Sequence, residues 1–253
     1  MNALRSAFDN RRSQPRSPAS QARPQVVYSN GWREYGAIDG YVDISISWDD
    51  QTGVFTGGFS FSGYDNGVGV AISGLVGFSG TTSIYYTPQP MPGDILDMTI
   101  SFSSFTSTDG IDTVRVGGTM AFHFNAPTGG PVIATLNLVT RDEGTGKTVW
   151  IKDYTVTVTE GTDPFLRTYS DVTISGRIYL HVYGYVDLDT DTPFRTYTDG
   201  YPPDLYPSSG VLVVTGSGGR KARLTALDNT RYQVEVDADA DGSYEWSMTG
   251  LWM

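Results

Sequence analysis

The residues of this sequence that are best placed to do chemistry are carboxylates at alternate positions near the C-terminus. Asp237, Asp239 and Asp241 are followed by Gly242 and then by Glu245. Alternating carboxylates with a turn glycine match the first half of a calcium loop, in which oxygen atoms converge on a hard cation. A helix-loop-helix calcium site needs a glutamate at its twelfth position, where this chain has a methionine. The pattern therefore predicts a partial calcium site completed by another loop or, as the favoured alternative, an acidic hairpin turn.

A second acidic cluster has the same alternate spacing. Asp187, Asp189 and Asp191 project from one face if they belong to a strand, within reach of a single cation if the strand end bends. Calcium bound at either cluster would relieve the repulsion between its carboxylates and stabilise the fold. The favoured alternative for the second cluster is a solvated strand end.

Three tyrosines, Tyr179, Tyr183 and Tyr185, stand on one face of the same alternating segment. Rings in such a row stack on sugar rings or on another flat ligand. Tyrosine is also a good cross-strand residue on an open sheet, and this second interpretation is favoured. The three residues are nevertheless the candidate ligand-binding surface.

Support for catalysis is weak. His123 and His181 are the only histidines, and both fall in strand-like segments outside any nucleophile or metal-ligand motif. The sequence contains no Gly-x-Ser-x-Gly elbow. We predict that the chain is not an enzyme; a glycosidase is the third-ranked alternative and would need two carboxylates facing each other across a cleft.

The segments that carry these residues alternate apolar and polar side chains with a period of two, which predicts β-strands. The longest alternation runs from Asp171 to Leu188 and predicts a single strand of roughly 60 Å, at about 3.3 Å per residue. Gly117 and Gly118 interrupt another segment and predict a bulge or bend. Connections are short, so we expect an all-β fold with a long antiparallel meander, forming either a sandwich or a curled, barrel-like sheet.

Composition and charge divide the 253 residues into two parts. Residues 1–25 carry five arginines and one aspartate, a net charge of +4, and they lack the apolar content needed to order themselves; we predict a flexible basic arm. The total is −11, so residues 26–253 carry −15 and form the predicted single all-β domain, with residues 208–253 as a candidate C-terminal subdomain. Such an acidic body would be repelled by phosphate, so we expect no nucleic-acid partner. No apolar run reaches the length of a transmembrane helix.

The C-terminal third resembles a tail found in uncharacterised bacterial cell-envelope β-proteins, which are often predicted to be lipoproteins. The similarity covers about 45 residues and lies in three stretches: 209–216, 222–228 and 234–239. Those proteins often have a second glycine in the acidic motif, where this chain has Ala240. They typically carry an export signal and a lipid-site cysteine; this sequence contains no cysteine, and an export signal is not visible in it. The resemblance implies a cell-envelope or extracellular location and implies no reaction.

These observations predict a non-catalytic structural or adhesive β-protein of the cell surface or exterior, which assembles with copies of itself and is stabilised by calcium. Exposed edges of long strands favour β-addition between copies. The alternative function is the binding of a surface glycan or an apolar ligand.

Overall fold

The computed structural model describes residues 26–83, 95–125, 130–199 and 203–252, and the predicted basic arm, residues 1–25, lies outside them. Within the described residues the chain is all-β, with fourteen strands and no helix. The strands are β1 (Val27–Tyr35), β2 (Asp39–Asp49), β3 (Val54–Asp65), β4 (Ala71–Thr82), β5 (Ile95–Thr108), β6 (Thr113–Asn125), β7 (Val132–Asp142), β8 (Thr148–Thr162), β9 (Thr168–Leu180), β10 (Gly184–Tyr197), β11 (Ser209–Gly216), β12 (Lys221–Asp228), β13 (Arg231–Asp237) and β14 (Trp246–Leu251).

The fourteen strands form one sheet in which spatial order equals sequence order and all neighbours are antiparallel. The predicted antiparallel meander is therefore confirmed. Of the two expected architectures, the structure has one continuous sheet rather than two facing sheets, and this sheet is not closed into a barrel. Residues 209–251 continue it, because β11 pairs with β10.

The prediction of one long strand from Asp171 to Leu188 is wrong. The segment is a hairpin in which β9 and β10 are paired antiparallel, with Leu180 opposite Gly184. The loop between them has three residues, an odd number. Cross-strand partners in this hairpin therefore have residue numbers that are both odd or both even. Alternation of side chains therefore continues through the turn without interruption, and periodicity alone does not distinguish this hairpin from a single strand.

The apolar side chains of consecutive strands lie opposite one another and form one face of the sheet. Their burial is uneven along the sheet. Among the described residues the buried hydrophobic side chains belong to β2–β4 and to β10 and β12: Val42, Ile44, Trp48, Phe55, Phe78, Phe194 and Ala226. Strands β5 to β9 contribute none of them, although they belong to the same single layer of described residues.

Phenylalanine rings packed over glycines account for part of the burial at the β2–β4 end. The Phe78 ring occupies the space that a Cβ at Gly57 would need, and the Phe55 ring does the same at Gly80. These rings, 6.4 Å apart, form a cluster with Trp48. The backbone of one strand thus becomes the packing surface for a ring from the next, which removes both from water without a second layer.

Register shifts occur at several places in the sheet, and two of the bulges have the same construction. Ser104 in β5 and Asp153 in β8 are extra residues with positive φ angles of 50° and 49°. Each lies opposite a glycine with positive φ, Gly74 and Gly176, where a Cβ would collide with the bulged backbone. A bulge does lie at the predicted position, Gly117–Gly118 of β6. Its extra residue, however, is in the paired strand β5 and not in β6. Bulges of this kind increase local twist and curl the sheet.

Candidate functional site

The turn of the β9–β10 hairpin positions the candidate aromatic residues. Tyr183 N–H donates to the Leu180 carbonyl at 3.1 Å, and Val182 takes the left-handed conformation, with a φ of 73°. Tyr179 and Tyr185 are direct cross-strand partners, so they share a face, whereas Tyr183 lies in the turn and is 85% exposed. The structure therefore brings two of the three predicted tyrosines together.

Trp150 of β8 extends this pair into an aromatic strip. It is the cross-strand partner of Tyr179, and the two rings stack with centroids 4.7 Å apart at 17°. The Tyr179 and Tyr185 rings follow at 5.7 Å. Sequence reasoning missed Trp150 because its neighbour is set by the β8–β9 register, which alternation does not fix.

An ion pair lies beside the aromatic strip. Arg177 and Asp187 are cross-strand partners, and the guanidinium makes two hydrogen bonds to the carboxylate, Nε to Oδ1 at 2.5 Å and Nη2 to Oδ2 at 2.8 Å. The same guanidinium lies 3.8 Å from the centre of the Tyr185 ring. Hydrogen bonding to Arg177 lowers the pKa of Asp187, and hydrogen bonding to Asp187 raises the pKa of Arg177, so both stay charged.

The same arrangement occurs twice more, and we name it the Arg–Asp–Tyr unit: a two-bond Arg–Asp pair across two strands, with a tyrosine ring under the guanidinium. In β1–β2 it is Arg33, Asp43 and Tyr41, with the ring at 3.8 Å. At the far end of β9–β10 it is Arg195, Asp171 and Tyr169, with the ring at 3.6 Å. Each unit also has a second tyrosine, on the same strand as the arginine. This second tyrosine is the cross-strand partner of the tyrosine under the guanidinium.

A sequence signal for two of these units exists. The segments 33–43, REYGAIDGYVD, and 177–187, RIYLHVYGYVD, share the spacing Arg-x-Tyr-x5-Tyr-x-Asp and end in the same Gly-Tyr-Val-Asp. Both fold as hairpins with the shared glycine at positive φ, 69° at Gly40 and 88° at Gly184. Comparison of the two segments would have identified the second as a hairpin, since the first contains an obvious glycine-rich turn.

The second acidic cluster is not gathered around one point. Asp187 is held by Arg177, whereas Asp189 and Asp191 are exposed, and Asp191 lies in the irregular part of β10 between Asp189 and Phe194. In the part of the chain that the structure describes, the acidic group with converging carboxylates is the one in the β13–β14 connection.

That connection brings Asp237, Asp239, Asp241 and Glu245 together, each offering one oxygen atom within 4.8 Å of the others. Asp237 is 1% exposed, and its two oxygens accept hydrogen bonds from Ala240 N–H at 2.7 Å and Gly242 N–H at 3.1 Å. These bonds fold the loop around the Asp237 carboxylate.

The remaining carboxylates of the loop are also oriented by backbone groups. Glu245 accepts from Ala238 N–H at 2.8 Å, and Asp241 accepts from Ser243 N–H at 2.7 Å. Each carboxylate oxygen has a second lone pair, so the four side chains retain acceptor capacity toward a hard cation such as calcium. The geometry agrees equally with an acidic turn whose carboxylates are held by N–H groups.

The two histidines lie far apart in the strand order. His123 of β6 contacts Asp97 of β5, its cross-strand partner, at 2.5 Å. His181 is in the β9–β10 turn rather than on a strand, and its N–H donates to the Thr148 carbonyl at 3.0 Å.

The described residues include no helix with the length and hydrophobicity that crossing a bilayer requires. Compared with protein-family models, curated proteins and solved structures, the chain matches none of them, and its resemblance to envelope β-proteins stays a prediction.

Proposed function

We propose that this chain is a non-catalytic structural protein of the cell surface or exterior that assembles with copies of itself through the edges of its sheet. The observation that supports assembly is the open meander, in which the edge strands β1 and β14 each pair with one other strand of the described residues. An edge strand offers a row of N–H and C=O groups to another chain. Location is supported by the resemblance of the C-terminal third alone.

The β14 edge lacks the usual protection against pairing. Its sequence, WSMTGL, contains no charge and no proline, and Trp246 and Leu251 are 50% and 69% exposed. β1 is also exposed along nearly its whole length. Pairing β14 of one copy with β1 of the next would continue the antiparallel sheet, and such a head-to-tail contact does not close, so it generates filaments.

Calcium is the second part of the proposal. The Asp237–Glu245 loop leads directly into β14, so an ion that neutralises its carboxylates would fix the start of the edge strand. Assembly would then depend on calcium through the position of β14.

Proline at residue 249 tests the edge contact. Trp252 N–H donates to the Thr230 carbonyl at 3.0 Å, so alternate residues of β14 turn their N–H groups toward β13, and Thr249 turns its own outward. Thr249→Pro removes that outward donor and spares the β13–β14 bonds. Thr249→Val keeps the donor and is the matched control.

We expect light scattering and negative-stain microscopy to show filaments or large oligomers for the wild type and for Thr249→Val, and much smaller particles for Thr249→Pro. Full polymerisation of Thr249→Pro would reject the edge contact. A wild type that stays at the monomer mass of 27.5 kDa at high concentration would reject self-assembly altogether.

A second candidate function is glycan binding by the aromatic strip. Trp150 is 39% exposed, and a depression of about 310 Å³ beside the strip is lined by charged residues that include Lys152, Arg177 and Asp187. Aromatic faces flanked by charged hydrogen-bonding groups suit sugar rings. A glycan array with the wild type and Trp150→Ala tests this: a hit lost in the variant supports it, and an array without hits speaks against it.

A further inference from the structure

We infer that the apolar face of strands β5 to β9 is an interface with a second copy of this chain, the two sheets packing face to face. This inference rests on the proposed self-assembly and adds a second contact to it. Its starting point is the burial pattern: the five strands are 11 to 15 residues long, yet they contain no buried hydrophobic residue.

The face is continuous across the five strands. Register places Ile100 of β5 beside Met120 of β6, and Met120 beside Leu136 of β7. Farther along the same face, Val156 of β8 lies between Ala134 of β7 and Ile174 of β9. Each of these residues is only half-buried, because its contacts come from neighbours in the same sheet. A sheet with one apolar face is normally covered by a second layer.

The area is sufficient for a stable contact. Five strands about 4.8 Å apart and about 40 Å long present roughly 1,000 Å² on one face. A stable protein–protein interface buries about 800 Å² on each partner. The distribution of polarity also fits, since the centre of the face is apolar and carboxylates stand at its margin, at Asp142 and Glu160.

A copy of the same chain is a better occupant than the other candidates. Residues 1–25 contain only three large apolar side chains, Met1, Leu4 and Phe8, too few to cover such a face. An anionic membrane surface would repel a chain of net charge −11 with an acidic margin on this face. A second copy provides an apolar sheet of equal size, and a two-fold axis lets each face cover the other while both polar faces stay in water.

The test separates the face contact from the edge contact. In the edge-blocked variant Thr249→Pro, we expect a dimer at twice the monomer mass of 27.5 kDa by light scattering. Adding Val156→Lys puts a charge in the centre of the face and should give a monomer that binds a hydrophobic dye. Adding Thr157→Lys instead, one residue along on the polar face, should leave the dimer intact. Circular dichroism verifies that each variant keeps its strands, and Leu136→Lys replaces Val156→Lys if that variant unfolds.

Each outcome decides between the contacts. A monomeric Thr249→Pro, or a dimer indifferent to lysine at 156 and 136, overturns the face contact and leaves edge assembly standing. Lipid extracted from a monomeric protein also overturns it and names an apolar ligand as occupant. If Thr249→Pro still polymerises, the edge contact fails, and Val156→Lys against Thr157→Lys in the wild type tests the face. A wild type that never associates overturns both.

Discussion

Two adjacent glycines of β6 give the sharpest test of the bulged sheet. Gly118 has a φ of 115°, and a Cβ added to it would overlap the Asn137 carbonyl oxygen and lie 3.0 Å from the Leu138 Cα. Gly117 meets nothing within 4 Å. Substituting alanine at each position changes the same chemical group one residue apart, so the difference between the two variants isolates backbone geometry.

The expected magnitudes follow from these two environments. Gly118→Ala forces a side chain into a backbone conformation that costs about 1–3 kcal/mol. It also forces displacement of a neighbouring backbone, which costs about 1–3 kcal/mol more. Gly117→Ala should instead stabilise by about 0.5–1 kcal/mol, because alanine has less backbone freedom to lose than glycine in a strand. Together these ranges place the two variants about 5 kcal/mol apart, which corresponds to about 10–20 °C in Tm for a chain of this size.

Thermal and urea unfolding followed by circular dichroism measure this difference. We expect Gly118→Ala to unfold well below the wild type and Gly117→Ala to unfold at or above it. Equal Tm values for the two variants would refute the reasoning, because they would mean that the β6–β7 backbones are not as close at Gly118 as the structure has them.

Two further predictions concern charge. Arg177 lowers the pKa of Asp187, so the ionised pair stabilises the fold above the ordinary carboxyl pKa of about 3.9, and this contribution is lost as the pH falls through the lower pKa of the folded state. The Tm difference between wild type and Asp187→Asn should shrink between about pH 5 and pH 3; a difference that stays constant contradicts the pair. Calcium at about 100 times its Kd should stabilise the wild type by about 2.7 kcal/mol, or about 5–11 °C. Asp239→Asn should reduce that gain and Asp189→Asn should not, whereas no gain in the wild type would assign the Asp237–Glu245 loop to a simple turn.

The fold class followed from local information, but the strand count in the 171–188 segment did not. Period-two alternation identifies strands because it reports which face a side chain occupies. A three-residue turn built from His181, Val182 and Tyr183 preserves that alternation, and valine and tyrosine favour strands, so neither periodicity nor propensity marks it. Its only sequence signal is the repeat of the 33–43 spacing.

The candidate site shows a similar division. The Asp237–Glu245 loop was predictable because its residues are consecutive and the hydrogen bonds that gather them are local. Two other contacts depend on the register between neighbouring strands, and bulges interrupt that register. They are the contact of Trp150 with Tyr179 and the contact of Arg195 with Asp171. A single extra residue such as Asp153 shifts the register of every cross-strand pair that follows it, and the local sequence contains no signal for it.

The order of the strands has a mechanical consequence. Because each strand pairs only with its sequence neighbours, the two ends of the described chain leave from opposite edges of the sheet. Tension between those ends acts across the strands and loads one pair of strands at a time, starting at an edge. The stability of such an array is approximately a sum over neighbouring pairs, so it yields in steps rather than all at once. If the two ends were pulled apart, the sheet would therefore lengthen one strand at a time and dissipate the applied mechanical energy in steps.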